Sequence, residues 1–398
     1  MVNPIVSNEL KLCALLSQPQ LQASQISDVA ALIPQIETNK FQYQLDQHRI
    51  WPSVYCNIRD HCSELFTPSL TDYLKQKYQQ NINRSHRQFM ATAHILQSFK
   101  AANIPVKVIK GLPLAERLYG DITKRHCNDI DMLIPKDYRP IAHQHLSQLG
   151  YQCDVLNTFS PTAIETILEC RKDLEYRGKH GILLELHLRL TGHSSLLTKD
   201  YTQQIFSGSS LEYEQKVREF VYLCWHATHS LHHRLKWLQD IALYIKNGVI
   251  DTPQFFEDAV IYAQKTDTLR SLVISMILSN ILYKTDTPPA VSSFYKKDFI
   301  SKLVLKASLN TLNQYSYKNS IRYELEMHIY NILLPQQWLE RMRTLWQAFK
   351  PNIDEIELLS KMPVGRSFFC YLIRPFWLFN RKGLNRNSGP QTRYRSDK

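Results

Sequence analysis

The segment VIKGLPLAERLYGDITKRHCNDIDMLI, residues 108–134, constrains the fold of this chain more than any other part of its sequence. It predicts a strand, a turn at Gly111, a short helix, a loop and a second strand. Asp129 and Asp131 lie two positions apart on the second strand, so both carboxylates face the same side, about 6 to 7 Å apart. Carboxylates this close repel each other unless a cation or a proton neutralises them. The pair predicts a cation site, and Mg²⁺ binds carboxylate oxygens together with substrate phosphates.

The turn at Lys110 and Gly111 predicts a phosphate site at the other end of this segment. A glycine between a strand and a helix lets backbone amides approach an anion, and the helix N-terminus adds partial positive charge. Lys110 adds a full positive charge. A phosphate site and a metal site in one segment together describe a nucleoside triphosphate (NTP) that is bound through Mg²⁺.

A third carboxylate lies in GILLELHLRLTG, residues 181–192, where apolar and polar residues alternate. This period of two predicts a strand with one face in the core and the other in a polar cleft. Glu185 would lie on the polar face, where a neighbouring strand could place it against Asp129 and Asp131. His187 shares that face. It could orient a carboxylate, contact the acceptor, accept a proton near neutral pH, or be a structural hydrogen-bonded histidine.

These motifs resemble, in order and spacing, a bacterial nucleotidyltransferase-like family whose members are often described as uncharacterised nucleotidyltransferases. The family is similar to the wider DNA polymerase β nucleotidyltransferase superfamily. The residues that carry the resemblance are Lys110-Gly111, Leu118-Tyr119-Gly120-Asp121, Arg125, Asp129-Ile130-Asp131 and Glu185-Leu186-His187, with a weaker likeness from about Leu10 to Val291. His226, Lys236, Trp237 and Asp240 also resemble the family. The turn here reads Lys110-Gly111-Leu112, where the superfamily has Gly-Ser.

The resemblance implies that Asp129, Asp131 and Glu185 bind two Mg²⁺ ions. A two-metal displacement at the α-phosphorus of an NTP fits these residues. One ion, bridged by Asp129 and Asp131, would hold the triphosphate. The second, shared with Glu185, would lower the pKa of an acceptor hydroxyl. Lys110 suits the triphosphate or the orientation of the aspartate loop.

Two further features are candidates for the nucleotide site. Arg125 suits the triphosphate or the loop before Asp129, and it could equally form a structural salt bridge to Asp121 or Asp129. In WHATHSLHHRLKWLQDIA, residues 225–242, five side chains recur at intervals of three or four and could share one helix face. They are His226, His229, His233, Trp237 and Asp240. We favour a lining of the cleft opposite the sheet, with His226 facing nucleotide or acceptor, over a second metal site.

The distribution of glycine indicates how the chain is divided into domains. Six of the 11 glycines in 398 residues lie between positions 111 and 192. Tight turns of a sheet domain are concentrated there, and the flanks are predicted to be helical. The predicted fold is α+β, a small mixed nucleotidyltransferase sheet with helices, flanked by N-terminal and C-terminal helical regions. The predicted divisions are an N-terminal helical region at 1–100, the nucleotidyltransferase core at 101–195, a C-terminal helical domain at 196–349 and a basic aromatic tail at 350–398.

Individual elements follow from local patterns. Residues 151–155 are a possible strand, and residues 138–149 are predicted to form a helix that ends at Gly150. After the sheet, helices are predicted at 212–246, with a break near 230–233, and at 269–283, 321–334 and 337–349. One more helix is predicted to start at residue 252.

Composition limits the class of protein. The eight cysteines include no CxxC pair, so neither a zinc ribbon nor a disulfide scaffold is indicated. The N-terminus lacks a basic segment followed by a long apolar run, and no stretch reaches about 18 apolar residues. We therefore expect a cytoplasmic protein without a transmembrane segment.

The formal charge of +12 permits binding to nucleic acid, acidic lipid or an anionic acceptor. The segment SFFCYLIRPFWLFNRK, residues 367–382, mixes aromatic residues with arginines. It could lie on an anionic membrane or bind RNA. A packed terminal helix with a solvated basic end is the interpretation that we favour.

The leading hypothesis is a Mg²⁺-dependent nucleotidyltransferase that moves a nucleoside monophosphate from an NTP to an acceptor hydroxyl on a small molecule, peptide or protein. A second hypothesis makes the acceptor tRNA or another RNA, because of the net charge. A third is a non-catalytic nucleotide-binding protein of the same fold, because the turn lacks the serine.

Overall fold

The computed structural model describes residues 6–19, 21–191, 205–206, 212–246, 254–314 and 321–348. This part of the chain is mostly helical and contains one four-stranded mixed sheet, which confirms the predicted α+β class with helical flanks. The tail predicted at 350–398 lies outside the described residues, as does Gly192. Among the helices that are described, none has the length and apolar composition needed to cross a membrane.

Five α-helices are described before the sheet. The first is capped by Ser7, whose side chain accepts a hydrogen bond from the N–H of Leu10. The fifth spans 34 residues and begins at Pro68, because proline is favoured in the first turn of a helix. The bounds are α1 Asn8–Leu16, α2 Ala23–Leu32, α3 Thr38–His48, α4 Trp51–His61 and α5 Pro68–Ala101.

The sheet and its connecting helices follow α5. Their bounds are β1 Lys107–Val108, α6 Leu112–Tyr119, β2 Ile130–Leu133, α7 Arg139–Gln148, α8 Asp154–Thr158, α9 Pro161–Cys170, β3 Asp173–Arg177 and β4 Leu183–His187. The strand order is β1-β2-β4-β3, with β2 and β4 parallel and the other two pairs antiparallel. The parallel register places Asp131 opposite Glu185 and Leu133 opposite His187.

The two faces of the sheet differ because side chains alternate along each strand. Met132 of β2 and Leu184 and Leu186 of β4 are buried in one hydrophobic cluster with Ile95 and Phe99 of α5. Each such side chain contributes roughly 1.5 to 3 kcal/mol when it is fully buried. This face is therefore held against α5, and the opposite face carries the acidic side chains.

Two details of the sheet differ from the prediction. Strand β3 is not predicted, because only Leu174 and Tyr176 alternate there with polar residues, which is a short signal. Residues 151–155, expected as a strand, form one isolated bridge from Gln152 to Arg177. The bridge is not extended because the chain enters α8 at Asp154, whose carboxylate favours the first turn of a helix.

Eight α-helices are described after the sheet. The predicted break near 230–233 is confirmed, with Leu231 and His232 in the left-handed conformation at φ 47° and 48°. The helices predicted at 269–283, 321–334 and 337–349 are also observed, within one residue at each described end. The bounds are α10 Glu212–His229, α11 Leu235–Lys246, α12 Gln254–Lys265, α13 Leu269–Tyr283, α14 Pro289–Lys297, α15 Phe299–Asn313, α16 Ile321–Leu333 and α17 Trp338–Ala348.

Helices from both ends of the chain share a second hydrophobic cluster. Its buried members include Leu12 of α1, Leu45 of α3, Leu74 of α5, Ile241 of α11 and Leu272 of α13. A polar contact crosses the same interface, where the hydroxyls of Ser17 and Tyr283 lie 3.0 Å apart. The domain divisions remain a prediction, and the flanking helices before and after the sheet are packed into one core.

Candidate active site

A pocket of about 230 Å³ lies between the polar face of the sheet and the start of α11. The residues that line it are Arg49, Lys110, Gly111, Arg125, Cys127, Asp129, Asp131, Lys172, Glu185, His226, Arg234, Lys236 and Trp237. Every predicted site residue is in this set except His187, which is fully buried directly behind Asp131. Side chains from the sheet and side chains from helices that are distant in sequence therefore line the same pocket.

Asp131, Glu185 and His187 form the closest cluster of potential metal ligands in the described residues. Each offers one ligand atom, and these atoms all lie within 4.8 Å of one another. His187 Nε2 is 2.9 Å from Asp131 Oδ1 and 3.4 Å from Glu185 Oε2. The parallel register of β2 and β4 produces this cluster. The sequence placed Glu185 and His187 on one polar face, but the metal ligands predicted from it are Asp129, Asp131 and Glu185. The cluster could hold a divalent cation.

Asp129 lies directly before β2 and not on the strand, because β2 begins at Ile130. It lines the same pocket but is not one of the three residues whose ligand atoms lie together. Burial raises the pKa of the Asp129 carboxyl, and the charges of Asp131 and Glu185 raise it further. The three carboxylates are therefore close enough to repel one another.

Lys110 is the nearest positive charge to Asp131. Its Nζ lies 3.2 Å from Asp131 Oδ1, and it also lies 5.9 Å from the centre of the Tyr222 ring. Burial disfavours the ammonium group, but attraction to Asp131 raises the pKa of Lys110 above its usual value. Burial likewise disfavours the Asp131 carboxylate, but Lys110 and His187 hold the pKa of Asp131 well below its usual value. The two groups are therefore an ion pair.

His187 acts on the carboxylates from behind the pocket. Burial would lower its pKa, but hydrogen bonds to Asp131 and Glu185 raise it above the usual value for histidine. Its Nδ1 has no hydrogen-bond partner within the described part of the chain, and Asp173 Oδ2 is 3.9 Å away. Of the roles that the sequence leaves open for His187, the geometry favours the orientation of a carboxylate.

Gly111 occupies a backbone conformation that only glycine adopts readily, with φ 71° and ψ −128°. It is the N-cap of α6, and its carbonyl accepts the hydrogen bond of Ala115 N–H at 3.1 Å. This conformation places the start of α6 at the pocket, beside Lys110. The backbone amides of this turn are the groups that a phosphate would approach.

Arg125 is buried and bound to a residue of α11. Its Nε and Nη2 donate hydrogen bonds to the two carboxylate oxygens of Asp240 at 2.8 and 2.7 Å. Asp240 Oδ1 also accepts a hydrogen bond from the Tyr119 hydroxyl at 2.8 Å. A structural salt bridge, one of the two roles left open for Arg125, is therefore present, but its partner is Asp240 of α11 and not Asp121 or Asp129. Contact between Arg125 and a triphosphate remains a prediction.

His226 lies on α10 and faces the pocket together with Trp237 of α11. Their rings are 5.0 Å apart with an interplanar angle of 72°. Burial lowers the pKa of His226 well below its usual value, and Lys110 and Lys172 lower it further. The predicted single helix face is wrong, since the break between His229 and Leu235 divides these residues between two helices. His226 and Trp237 both line the pocket, and contact of His226 with nucleotide or acceptor remains a prediction.

Four basic residues of the pocket were not among the candidates from sequence: Arg49, Lys172, Arg234 and Lys236. Burial lowers the pKa of Lys236 to about 7, with further lowering by Arg125, Arg234 and Arg49. Burial also lowers the pKa of Arg234 to about 10. Lys236 shares the family resemblance and could have been nominated on that ground. Arg49 lies more than 50 positions before Lys110, and no local pattern marks it.

A family model described as an uncharacterised nucleotidyltransferase matches residues 34–284. This range contains every residue that lines the pocket. No curated protein and no solved structure matches the chain.

Proposed function

Since the chain belongs to the uncharacterised nucleotidyltransferase family, we propose that it transfers a nucleoside monophosphate from an NTP to an acceptor hydroxyl with the help of Mg²⁺. One observation carries the proposal. Asp131 and Glu185 are register partners on parallel strands, with Asp129 beside them, in a pocket that is otherwise rich in positive charge. Acidic and basic groups in one pocket suit a metal-bound triphosphate.

The donor set fits a hard divalent cation. The carboxylates are close enough that Asp131 and Glu185 raise the pKa of Asp129, and a bound cation would relieve this repulsion. Asp129, Asp131 and Glu185 would hold two Mg²⁺ ions. When bound, such ions neutralise charge on the triphosphate and lower the pKa of the acceptor hydroxyl.

The chain itself supplies alignment and charge. Lys110 would contact phosphate while it keeps Asp131 ionised, and the amides at Gly111 would approach phosphate oxygens at the start of α6. Asp240 holds Arg125 rigidly, so Arg125 would position the loop that carries Asp129. His226 stays neutral and would offer a hydrogen bond to nucleotide or acceptor.

The test is transfer of label from each α-labelled NTP in the presence of Mg²⁺ and cell extract. Asp131→Asn should lower transfer roughly 100-fold or more, because metal binding contributes several kcal/mol to such reactions. Chelation by EDTA should have the same effect. Asp72→Asn, an exposed change on α5, is the matched control and should transfer label as wild type does. Equal labelling by the Asp131→Asn variant would contradict the assignment.

The acceptor is identified from the labelled product. Sensitivity to RNase would identify tRNA or another RNA, sensitivity to protease would identify a peptide or protein, and resistance to both would indicate a small molecule. Binding of NTP without release of pyrophosphate from any acceptor pool would support the non-catalytic nucleotide-binding protein.

A further inference from the structure

Three basic side chains from helix ends form one wall of the pocket: Arg49, Arg234 and Lys236. Arg49 follows α3, whereas Arg234 and Lys236 lie at the start of α11. Within the described residues, none of the three forms an ion pair. Lys236 donates a hydrogen bond to the carbonyl of His126 at 3.1 Å, and the Arg234 guanidinium lies 5.7 Å from the Trp237 ring centre. No carboxylate in the described part of the chain is therefore ion-paired with this wall.

The other cations of the pocket are already paired. Lys110 contacts Asp131, and Arg125 is bound by Asp240. Lys172 Nζ lies 2.8 Å from Asp173 Oδ2. The excess of positive charge is therefore local to Arg49, Arg234 and Lys236, and is not spread over the whole pocket.

Positive charges that share a partly buried pocket without an ion-pair partner oppose folding, since each loses hydration and repels the others. Lys236 has only 7% of its surface exposed. Arg234 and Arg49 lower its pKa, and Arg49 likewise lowers the pKa of Arg234, in each case after burial. Asp129 attracts both arginines without forming an ion pair with either. The described fold gives these charges no ion-pair partner, so their arrangement suits an anion that arrives from solution.

We infer that Arg49, Arg234 and Lys236 form an oxyanion subsite, distinct from the acidic residues, that binds a phosphate-type group. The inference rests on the proposed function and deepens it, because it assigns an anionic group of the substrates to this wall. Two arginines and a lysine suit such a group, since guanidinium forms bidentate contacts to phosphate and ammonium adds a point charge. The oxyanion belongs either to the NTP or to an acidic acceptor.

The first test measures binding of inorganic pyrophosphate to the full chain in EDTA by calorimetry. Arg234→Gln should weaken binding about tenfold or more, because it removes charge-assisted hydrogen bonds. Arg49→Gln should weaken it similarly and serves as a second variant. Lys306→Gln, which removes an exposed charge from α15, is the matched control and should bind as wild type does. Unchanged affinity in both arginine variants, or no binding by wild type, would overturn the subsite.

A second measurement separates binding from a structural role. Without ligand, Arg234→Gln and Arg49→Gln should melt at the same temperature as wild type or higher, because each relieves repulsion. Weaker pyrophosphate binding together with a lower melting temperature in both variants would assign these arginines to the fold and would overturn the inference.

Competition between pyrophosphate and an NTP analogue identifies which substrate supplies the oxyanion. If a non-hydrolysable NTP analogue with Mg²⁺ displaces pyrophosphate, the subsite takes the phosphates of the NTP. If both bind at once, it takes the anionic group of the acceptor, and either result supports the subsite. Asp131→Asn should lose label transfer and keep pyrophosphate binding, so failure of the transfer hypothesis and failure of the subsite give different results.

Discussion

Lys236 is a residue of the pocket whose charge state should change when an oxyanion binds. Its pKa is lowered to about 7 in the unliganded protein, first by burial. A bound oxyanion would stabilise the ammonium form and raise this pKa, so binding takes up a proton above pH 7. The affinity for the oxyanion is therefore highest below about pH 7, and it falls as the pH rises toward the pKa of the liganded state. The groups that face Lys236 are Arg49, Arg125, Arg234, Cys127, Asp129 and the His126 ring.

We predict that sulfate affinity falls between pH 6 and pH 8.5, by up to about tenfold for each pH unit above 7. Sulfate is the probe because its own charge is constant in this range. Lys236→Met, of similar volume, should bind sulfate more weakly and lose this pH dependence, which calorimetry at several pH values would measure. A slope that persists unchanged in the Lys236→Met variant would assign the titration to another group.

Whether a pocket residue could be predicted from the sequence depends on how far it lies from the others in the chain. Asp131 and Glu185 were predictable because spacing along a strand determines which side chains share a face, whereas Asp129, predicted on the same strand, lies directly before it. Arg49 and Arg234 were not predictable, since each lies at the end of a helix where a basic residue is ordinarily solvated. Only long-range packing of helices from both flanks brings these two arginines to the sheet. A local pattern holds no information about such packing.

At the scale of elements, the Arg125–Asp240 pair joins the loop between α6 and β2 to α11. Asp240 accepts hydrogen bonds from Arg125 and from Tyr119, and both charged groups are buried. Asp240→Asn would leave the Arg125 charge buried without a counter-charge. We predict a loss of about 3 to 5 kcal/mol in the free energy of unfolding, measured by urea denaturation.

The double variant Arg125→Met/Asp240→Asn provides the control for this prediction. It removes both charges and keeps an acceptor for the Tyr119 hydroxyl, so it should recover most of the lost stability. Asp72→Asn should change stability by less than about 0.5 kcal/mol. A double variant that is as unstable as Asp240→Asn would show that the cost arises from packing and not from the buried charge.

The elements themselves were mostly readable from sequence, for a physical reason. Helices such as α13 are long enough for start and stop signals to add up, and its bounds agree with the prediction of 269–283. Five-residue β3 has two apolar positions, and whether it forms depends on pairing with β4. Residues 151–155 have a similar pattern, but they form only a bridge at Gln152 before α8 begins at Asp154. Whether a short strand forms depends on the strand with which it pairs, and that strand is distant in sequence.

At the scale of the whole molecule, the helices before and after the sheet act as one body through shared buried groups. His48, the last residue of α3, is fully buried between two of the later helices. Its Nε2 lies 3.1 Å from the carbonyl of Leu312 in α15, and its Nδ1 accepts the N–H of Leu235 at the start of α11 at 3.4 Å. This pattern requires the neutral imidazole, with the proton on Nε2. Protonation of Nδ1 would break the contact with α11.

Burial lowers the pKa of His48 to about 4, and the charged group facing it, Arg234, lowers it further. In the unfolded chain His48 takes up a proton near its ordinary value of about 6.5. Between these two pH values the unfolded state binds more protons, so stability falls as pH falls from 6.5 to 4. We predict that this residue alone contributes a loss of roughly 3 kcal/mol across that window. Urea denaturation at pH 7, 5.5 and 4.5 would measure it.

His48→Gln is the test variant, because glutamine does not titrate and can keep one of the two hydrogen bonds. It should be less stable than wild type at pH 7 by about 1 to 3 kcal/mol, since a buried partner is left unsatisfied. The difference should shrink as pH falls, because only wild type loses stability through His48. The other buried histidines, such as His232, titrate in both proteins, so their contributions to the pH dependence cancel in the comparison. A difference that stays constant from pH 7 to pH 4.5 would mean that His48 is charged in the folded protein. The neutral link between α3, α11 and α15 would then be wrong.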